Sequence, residues 1–524
     1  MFARQFLVVF SIVLLVLLES CSPKSYRVPQ KELRSYDLVV YGGTPAGVAA
    51  AVSAARKGVS VALVSHSNIV GGMVSSGLGA SDVGEVAAVG GFAREFFDRI
   101  GEYYDHSEPV YRFEPKAAEQ VFEEMLSESG VYVYRNSPVH HLKKLNTTIE
   151  ALISVRGEQI SGKMFIDASY EGDLMARAGV SYTFGREDKT EYKESLAGFQ
   201  TANRRHIFPV PVNAVDEGGE PLPGVSRDGW ADVGTGDKKI PAYNFRLCLS
   251  KDQDNQLPFE MPENYDPKTY ELLARYIALR PEIRLSTLMY FFPLPNDKVD
   301  VNNRGPVSTN LIGGSWEYPQ ASHKRRAEIW QKHKDYTQGL LYFLSTDSRV
   351  PARLRSSLSK WGYCKDEFVE TSGWPPQLYV REARRMVSDF VMTEADVRTN
   401  LSKVDSIGMA SMPIESHHVQ RLLTNKKTAA NEGSVVVKVS PYEIPYRAIV
   451  PKRGEITNLI NPVTVSASHV AYSSLRMEPV YMILGHSAGN AAVIALKQGL
   501  PVQDIDIPAL QQQLRREGQV LSLR

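Results

Sequence analysis

Gly42-Gly43-Thr44-Pro45-Ala46-Gly47 carries little side chain and stands between the apolar stretch Tyr36-Asp37-Leu38-Val39-Val40-Tyr41 and the small-residue stretch 48–55. Strand, tight turn and helix in that order bring bare backbone N–H groups and the positive end of a helix dipole to a phosphate, which bulky side chains would hold away. The spacing departs from G-x-G-x-x-G, because Thr44 takes the second glycine position while Gly42 and Gly47 keep the first and third. A second set of residues offers proton transfer. Oxidation of an alcohol or amine asks for a base that titrates near ambient pH, which favours histidine, and His469, His417, His418 and His486 are the candidates. Arg381, Arg384, Arg385 and Arg476 offer planar guanidinium donors to an anionic substrate or to charge developing on a cofactor ring. Ion pairing with Glu382 or Glu478 is the bland alternative for each arginine, and a backbone hydrogen bond in a loop is the bland one for His469.

The elements that must position these groups follow from the pattern around them. Gly58 ends the first helix, and Val59-Ser60-Val61-Ala62-Leu63-Val64 supplies a second buried strand, completing a βαβ start. At the end of that strand, where a dinucleotide fold presents Asp or Glu to the ribose hydroxyls, the chain has Ser65-His66-Ser67. A missing acid suits a 2′-phosphate. Gly71-Gly72-Met73 follows within a few residues, however, where flavoproteins bring a glycine-rich loop against FAD, so FAD is expected with Ser65 hydrogen-bonding at the ribose. A third crossing runs from the apolar 162–167 through Ala168, Ser169 and Gly172 into a helix over 174–178. Helices near 91–101 and 115–129 and strands near 131–134 and 149–155 lie between. Towards the C-terminus, a short strand at 456–460 precedes Ser468-His469, Arg476-Met477-Glu478-Pro479 and then Gly485, Ala488, Gly489 and Ala492, whose helical spacing lets a helix pack closely on a strand or a cofactor.

Between about 180 and 440 the sequence turns aromatic and proline-rich and reads as a substrate domain. A strand is predicted near 242–249, with helices near 268–279, 323–345 and 376–393. The last starts at Pro375-Pro376 and would set Gln377, Arg381 and Arg385 on one face. Trp316-Glu317-Tyr318, Trp374 and Tyr379 would suit stacking on a sugar, although tryptophan is mostly a core residue. His323-Lys324-Arg325-Arg326 reads as a solvated helix face. His417 and His418 diverge in a strand and make poor joint metal ligands, so no metal is assigned.

Formal charge is +1, from 60 basic and 59 acidic residues mixed along the chain, which gives no footprint for nucleic acid. A chain of 524 residues with 43% hydrophobic content supports a large core in two or more domains. At the N-terminus, Arg4, the uncharged run 7–18 and Leu18-Glu19-Ser20-Cys21 read as a signal peptide with a lipobox-like end, the run being shorter than the roughly 20 residues of a membrane span. Cys21 is then the lipidated first residue and membrane attachment point of an exported protein facing the periplasm or cell surface. Glu19 is unusual before such a site and leaves open secretion without lipid and, as a lesser alternative, an uncleaved membrane anchor. Cys248 and Cys364 remain and make no disulfide framework; the two could pair, but Cys248 reads as a buried strand residue and Cys364 sits in a separate polar segment.

Gly42 to Gly47, Gly71-Gly72-Met73, Ile166-Asp167-Ala168-Ser169-Tyr170-Glu171-Gly172-Asp173, Gly373-Trp374-Pro375 with Tyr379-Val380-Arg381-Glu382-Ala383-Arg384-Arg385, and Ser468-His469 through Arg476 to Gly489 together resemble the bacterial FAD-dependent oxidoreductase family of glutathione-reductase-type fold, some members of which are labelled xanthan-lyase-like. The resemblance implies an α/β protein with a three-layer Rossmann-like FAD-binding domain in two pieces, 36–179 and 441–524, and an inserted α+β substrate domain at 180–440, after a signal segment 1–21 and tether 22–35. It implies FAD held by Gly42, Gly43, Thr44, Pro45, Ala46, Gly47, Ser65, Gly71, Gly72, Met73, Ala168, Ser169, Gly172, Glu478, Pro479, Gly485, Ala488 and Gly489. Catalytic candidates are His469, His417 and Arg381. The expected activity is oxidation of a small polar metabolite, a carbohydrate being one candidate, by hydride transfer to flavin N5 and on to an unidentified electron acceptor. The alternatives are a flavoprotein that supports a non-redox elimination or isomerisation, and a glycan-binding lipoprotein without catalysis.

Overall fold

Tyr41 closes β1 (Arg34–Tyr41), whose last residues are buried without alternation, as suits a parallel strand covered on both faces. The strand lies between β2 (Val61–Val64) and β6 (Gln159–Asp167), parallel to both, with Val40 opposite Leu63 on one side and Ile166 on the other. The computed structural model describes residues 34–201, 205–399 and 401–523. The signal segment, Cys21 and the tether up to residue 33 lie outside the described residues. β3 (Tyr132–Tyr134), β4 (Val139–Leu145) and β5 (Thr148–Ser154) complete a sheet in the order β3-β2-β1-β6-β5-β4, and β7 (Leu459–Ile460) joins β6 from the far end of the chain.

Two helices cross over this sheet at close range. α1 (Pro45–Ala55) opens with proline in its first turn, and α6 (Glu478–Gln498) lies against it, both buried over most of their length. The approach is backbone to backbone: a Cβ on Gly485 would sit 2.2 Å from the Ala46 carbonyl oxygen, and one on Gly489 2.4 Å from that of Ala50. Gly485 and Gly489 are therefore required by helix packing against α1; Ala488, between them, is fully buried. α6 is long and apolar enough to cross a membrane, but here it is a core helix.

The intervening chain forms a five-stranded sheet in the order Met289–Pro293, Lys298–Asn303, Leu247–Ser250, Gly362–Cys364, Gln256–Leu257, and the long helix His323–Thr346. One expectation fails in this region. Residues 376–393 form no helix; they run extended, with Tyr379 N–H donating to Asn244 O and Arg385-Met386 pairing with Tyr182-Thr183. Local spacing suggested a helix, but partners far away in sequence claim this backbone. Cys248 and Cys364 also prove to be neighbours, because Tyr363 pairs with Leu249 and puts both cysteines on facing positions, with buried Sγ atoms 2.7 Å apart.

Candidate functional site

Four separated segments meet at the N-terminus of α1. Gly42 has φ +113°, and a Cβ on it would stand 2.5 Å from the Ser169 nitrogen; a Cβ on Gly47 would stand 1.8 Å from Gly42 O. Only bare backbone fits there. Thr44 explains the departure from the glycine pattern, since its hydroxyl accepts from Gly47 N–H at 3.2 Å and donates to Ala168 O at 2.7 Å, capping α1 and tying the first segment to the third. Gly43 O accepts from Gly71 and Gly72 N–H at 2.7 and 3.1 Å, which ties the first to the second. Tyr170 completes the set: its hydroxyl accepts from Met73 N–H at 3.0 Å and donates to Glu478 Oε1 at 2.8 Å, in the first turn of α6. Ser65 packs against Gly43, and its hydroxyl accepts from Ser67 N–H at 3.2 Å. Ser169 is used in the turn itself, where Asp167 accepts from its N–H and hydroxyl and Gly172, at φ +66°, leads into α4 (Asp173–Ala178).

These residues fit a dinucleotide. Small residues leave backbone open at a helix N-terminus, and Glu478 Oε2 is buried with no partner, an orphaned polar atom at the start of the second helix. Burial, with the charge of Asp82, pushes the Glu478 carboxyl up to about 8, so the group is protonated at neutral pH and able to donate.

Across from this cradle lies a group of charges. Asp82 and His417 are partly accessible to water and otherwise surrounded by protein. Among the described residues the imidazole of His417 has no hydrogen-bond partner. Its pKa is driven well below the ordinary histidine value by burial first and then by Arg381, Arg476, His206 and His418. Arg381 lies 4.9 Å from the Tyr379 ring centroid, and Arg476 reaches the Tyr379 hydroxyl at 3.4 Å. Arg246 is paired with Asp300 at 2.8 Å, and burial raises the Asp82 carboxyl.

The family of FAD dependent oxidoreductases matches residues 37–514. The chain belongs to this family. Its cofactor is FAD, and it is an oxidoreductase. Among solved structures it is similar to a geranylgeranyl bacteriochlorophyll reductase-like protein from Thermoplasma acidophilum, at 12% identity over 93% of this chain and 85% of that one, TM-score 0.36. It is also similar to a triple mutant of the flavin-dependent brominase Bmp2, at 11% identity over 92% and 84%, TM-score 0.34. THI4 of Thermovibrio ammonificans matches at 19% identity over 36% of this chain and 79% of its own, TM-score 0.23. Comparison with curated proteins gives no match.

In this FAD-dependent oxidoreductase the four candidate histidines fall in different surroundings. His469 is the first residue of α5 (His469–Leu475); its Nδ1 is 2.7 Å from Glu382 Oε2 and its Nε2 3.3 Å from Ser416 Oγ, so both ring nitrogens are engaged within the protein. Burial and the Arg385 guanidinium hold it neutral, down to about 3. His418 gives Nε2 to Arg205 O at 3.1 Å, and burial lowers it to about 4. His486 pairs with Glu517 at 2.6 Å and accepts from Phe92 N–H, beside residues of the C-terminal tail. His417 alone of the four has a ring with no partner. Pro479 follows Glu478 in the first turn of α6. Two participants went unassigned from sequence: Tyr170, whose only signal was its place inside the third segment, and Asp82, which had none.

Proposed function

We propose that this oxidoreductase oxidises a small polar metabolite, with His417 as the group that takes the substrate proton. The observation that carries the reading is the partly accessible imidazole of His417, which has no hydrogen-bond partner among the described residues and is neutral because of its burial and the arginines beside it. The substrate C–H bond breaks with its electron pair leaving as hydride, the hydroxyl or amine proton passes to a ring nitrogen of His417, and a C=O or C=N bond forms. Bound FAD supplies the acceptor for the hydride. Arg381 and Arg476 orient the substrate. His469 acts at one remove, fixing Ser416 beside His417 and holding Glu382, which is itself paired with Arg385. Enclosure by the substrate domain keeps the reacting atoms from bulk water.

The test is anaerobic: sugars, polyols, amines and hydroxy acids are mixed with the yellow protein and flavin bleaching is followed. At least one class should bleach it, and His417→Gln should keep FAD while slowing bleaching by about 10²–10⁴-fold, the usual loss for a general base. Bleaching by no compound, or at an unchanged rate in the variant, defeats the reading. We place the reaction outside the cytoplasm, on a lipid carried by Cys21, from the apolar run 7–18 and the cysteine behind it. Intact mass of protein extracted from membranes should show acyl chains on a mature chain that starts at Cys21; a chain that starts elsewhere without them refutes the anchor.

A further inference from the structure

The arginines at 381, 384, 385 and 476 divide into two kinds. Arg384 meets Asp173 at 2.8 Å, and Arg385 is paired with both Glu382 and Glu187, so these charges are balanced inside the protein. Arg381 and Arg476 are as deeply buried, at 1% and 4% exposure, and among the described residues neither has a carboxylate partner. Arg381 donates only to neutral oxygens, Ala242 O, Asn244 Oδ1 at 3.1 Å and Asn303 Oδ1 at 3.4 Å, and its Nε is buried with no acceptor. Arg476 donates to Glu415 O at 2.8 Å and to the Tyr379 hydroxyl.

A guanidinium buried among neutral dipoles is expensive, and burial pushes that of Arg381 down to about 9. An anion removes that cost. Among the described residues no acid is ion-paired with either arginine: Asp300 is taken by Arg246, the Glu415 carboxylate turns to Arg205 at 3.1 Å, and Asp82 acts on Arg476 only electrostatically, without an ion-pair contact. Tyr379 places the two free arginines together, one against its ring and the other at its hydroxyl, and both act on the imidazole of His417.

We propose that Arg381 and Arg476 bind a carboxylate, so that the substrate is a small organic acid whose oxidisable carbon, bearing a hydroxyl or amine, lies next to its acid group. The proposal rests on the reading of this region as the substrate site. A planar carboxylate can accept from the remaining donors of Arg476 with the Arg381 charge beside it, which a neutral alcohol satisfies poorly. His417 feels the charge of the same two guanidiniums, so the base and the carboxylate would belong to one region of the protein. The bound anion would also offset the positive charge that depresses His417, making the imidazole a better proton acceptor only when substrate is present.

Oxalate and its neutral diamide, oxamide, have no hydrogen to transfer and report binding alone. In the FAD-loaded protein, oxalate should shift the flavin absorption spectrum and raise the melting temperature, while oxamide at the same concentration should do neither. Arg381→Met and Arg476→Met should each weaken oxalate binding at least tenfold, with partial recovery in Arg381→Lys. Should Arg381→Met not retain FAD, Arg476→Met and the comparison of oxalate with oxamide on the wild type decide. Equal effects of oxamide and oxalate, or wild-type oxalate affinity in the variants, overturn the carboxylate site. Arginine-dependent oxalate binding without bleaching by any hydroxy or amino acid would leave the carboxylate site standing and remove the oxidation reading. Bleaching by glycerol as fast as by glycerate would do the reverse.

Discussion

Around Gly42 to Gly47 one added methyl group collides with backbone, whereas around Arg381 and His417 polar atoms stand buried or enclosed without partners. The first wall is finished by the protein itself: Thr44, Gly43 and Tyr170 each tie one segment to another through hydrogen bonds of 2.7–3.2 Å. The second is left open, with a free imidazole and two unbalanced guanidiniums. A surface that is to hold the same cofactor in every turnover can be closed by packing, and one that must accept and release a substrate keeps its polar groups unspent. Substitutions on the two walls should accordingly fail in different ways.

The largest effect is expected at Gly47. Its Cβ would lie 1.8 Å from Gly42 O, so Gly47→Leu must push the turn away from α1 and expose the phosphate site to a side chain. The protein should purify colourless, with the ratio of flavin to protein absorbance near zero, and full FAD occupancy would show that the turn does not hold the dinucleotide. His417→Ala comes next and should behave oppositely, keeping FAD and melting temperature while flavin reduction slows by about 10²–10⁴-fold. His469→Ala sharpens the contrast between two histidines of similar sequence promise. It removes bonds to Glu382 and Ser416 inside the protein, so the main loss should be about 1–3 kcal/mol of stability, read as a lower urea midpoint. Slowed reduction at undiminished stability would move the proton-accepting role from His417 to His469.

The same contrast governs how much could be read from sequence. The β1-α1-β2 start was legible because apolar runs, Gly42 and Gly58 are local signals for local events. The C-terminal helix was legible too, but its glycines were not, since only the fold shows that Gly485 and Gly489 meet Ala46 and Ala50. The run 376–393 looked helical from its prolines and its spacing of four, yet its conformation is decided by Asn244, Glu187 and Thr464, none of them near in sequence. The arginines could be named as anion binders from their type, but which of them are already paired is a property of tertiary contacts. The cysteines follow the same rule, as their meeting depends on the register of two strands.

The smallest effect, and the one that probes the seam between the two walls, is at Glu478. Burial is the largest influence on its carboxyl and the Asp82 charge adds to it, against the opposing hydrogen bond from Tyr170, and together they raise it from an ordinary 4.5 to about 8. The unfolded chain gives up this proton near 4.5 and the folded chain holds it until about 8, so between those values the folded state binds more protons and stability falls as pH rises. The contribution is whole below about 4.5 and is lost as pH passes through about 8, at about 1.4 kcal/mol per pH unit in between. Glu478→Gln keeps an acceptor for Tyr170 and removes the titration. Between pH 6 and 7, in FAD-free protein, the wild type should lose melting temperature relative to the variant by on the order of 1–2 °C. Parallel curves for the two proteins would mean that Glu478 is already ionised at pH 6, and its orphaned oxygen would then be an acceptor facing the flavin site rather than a donor.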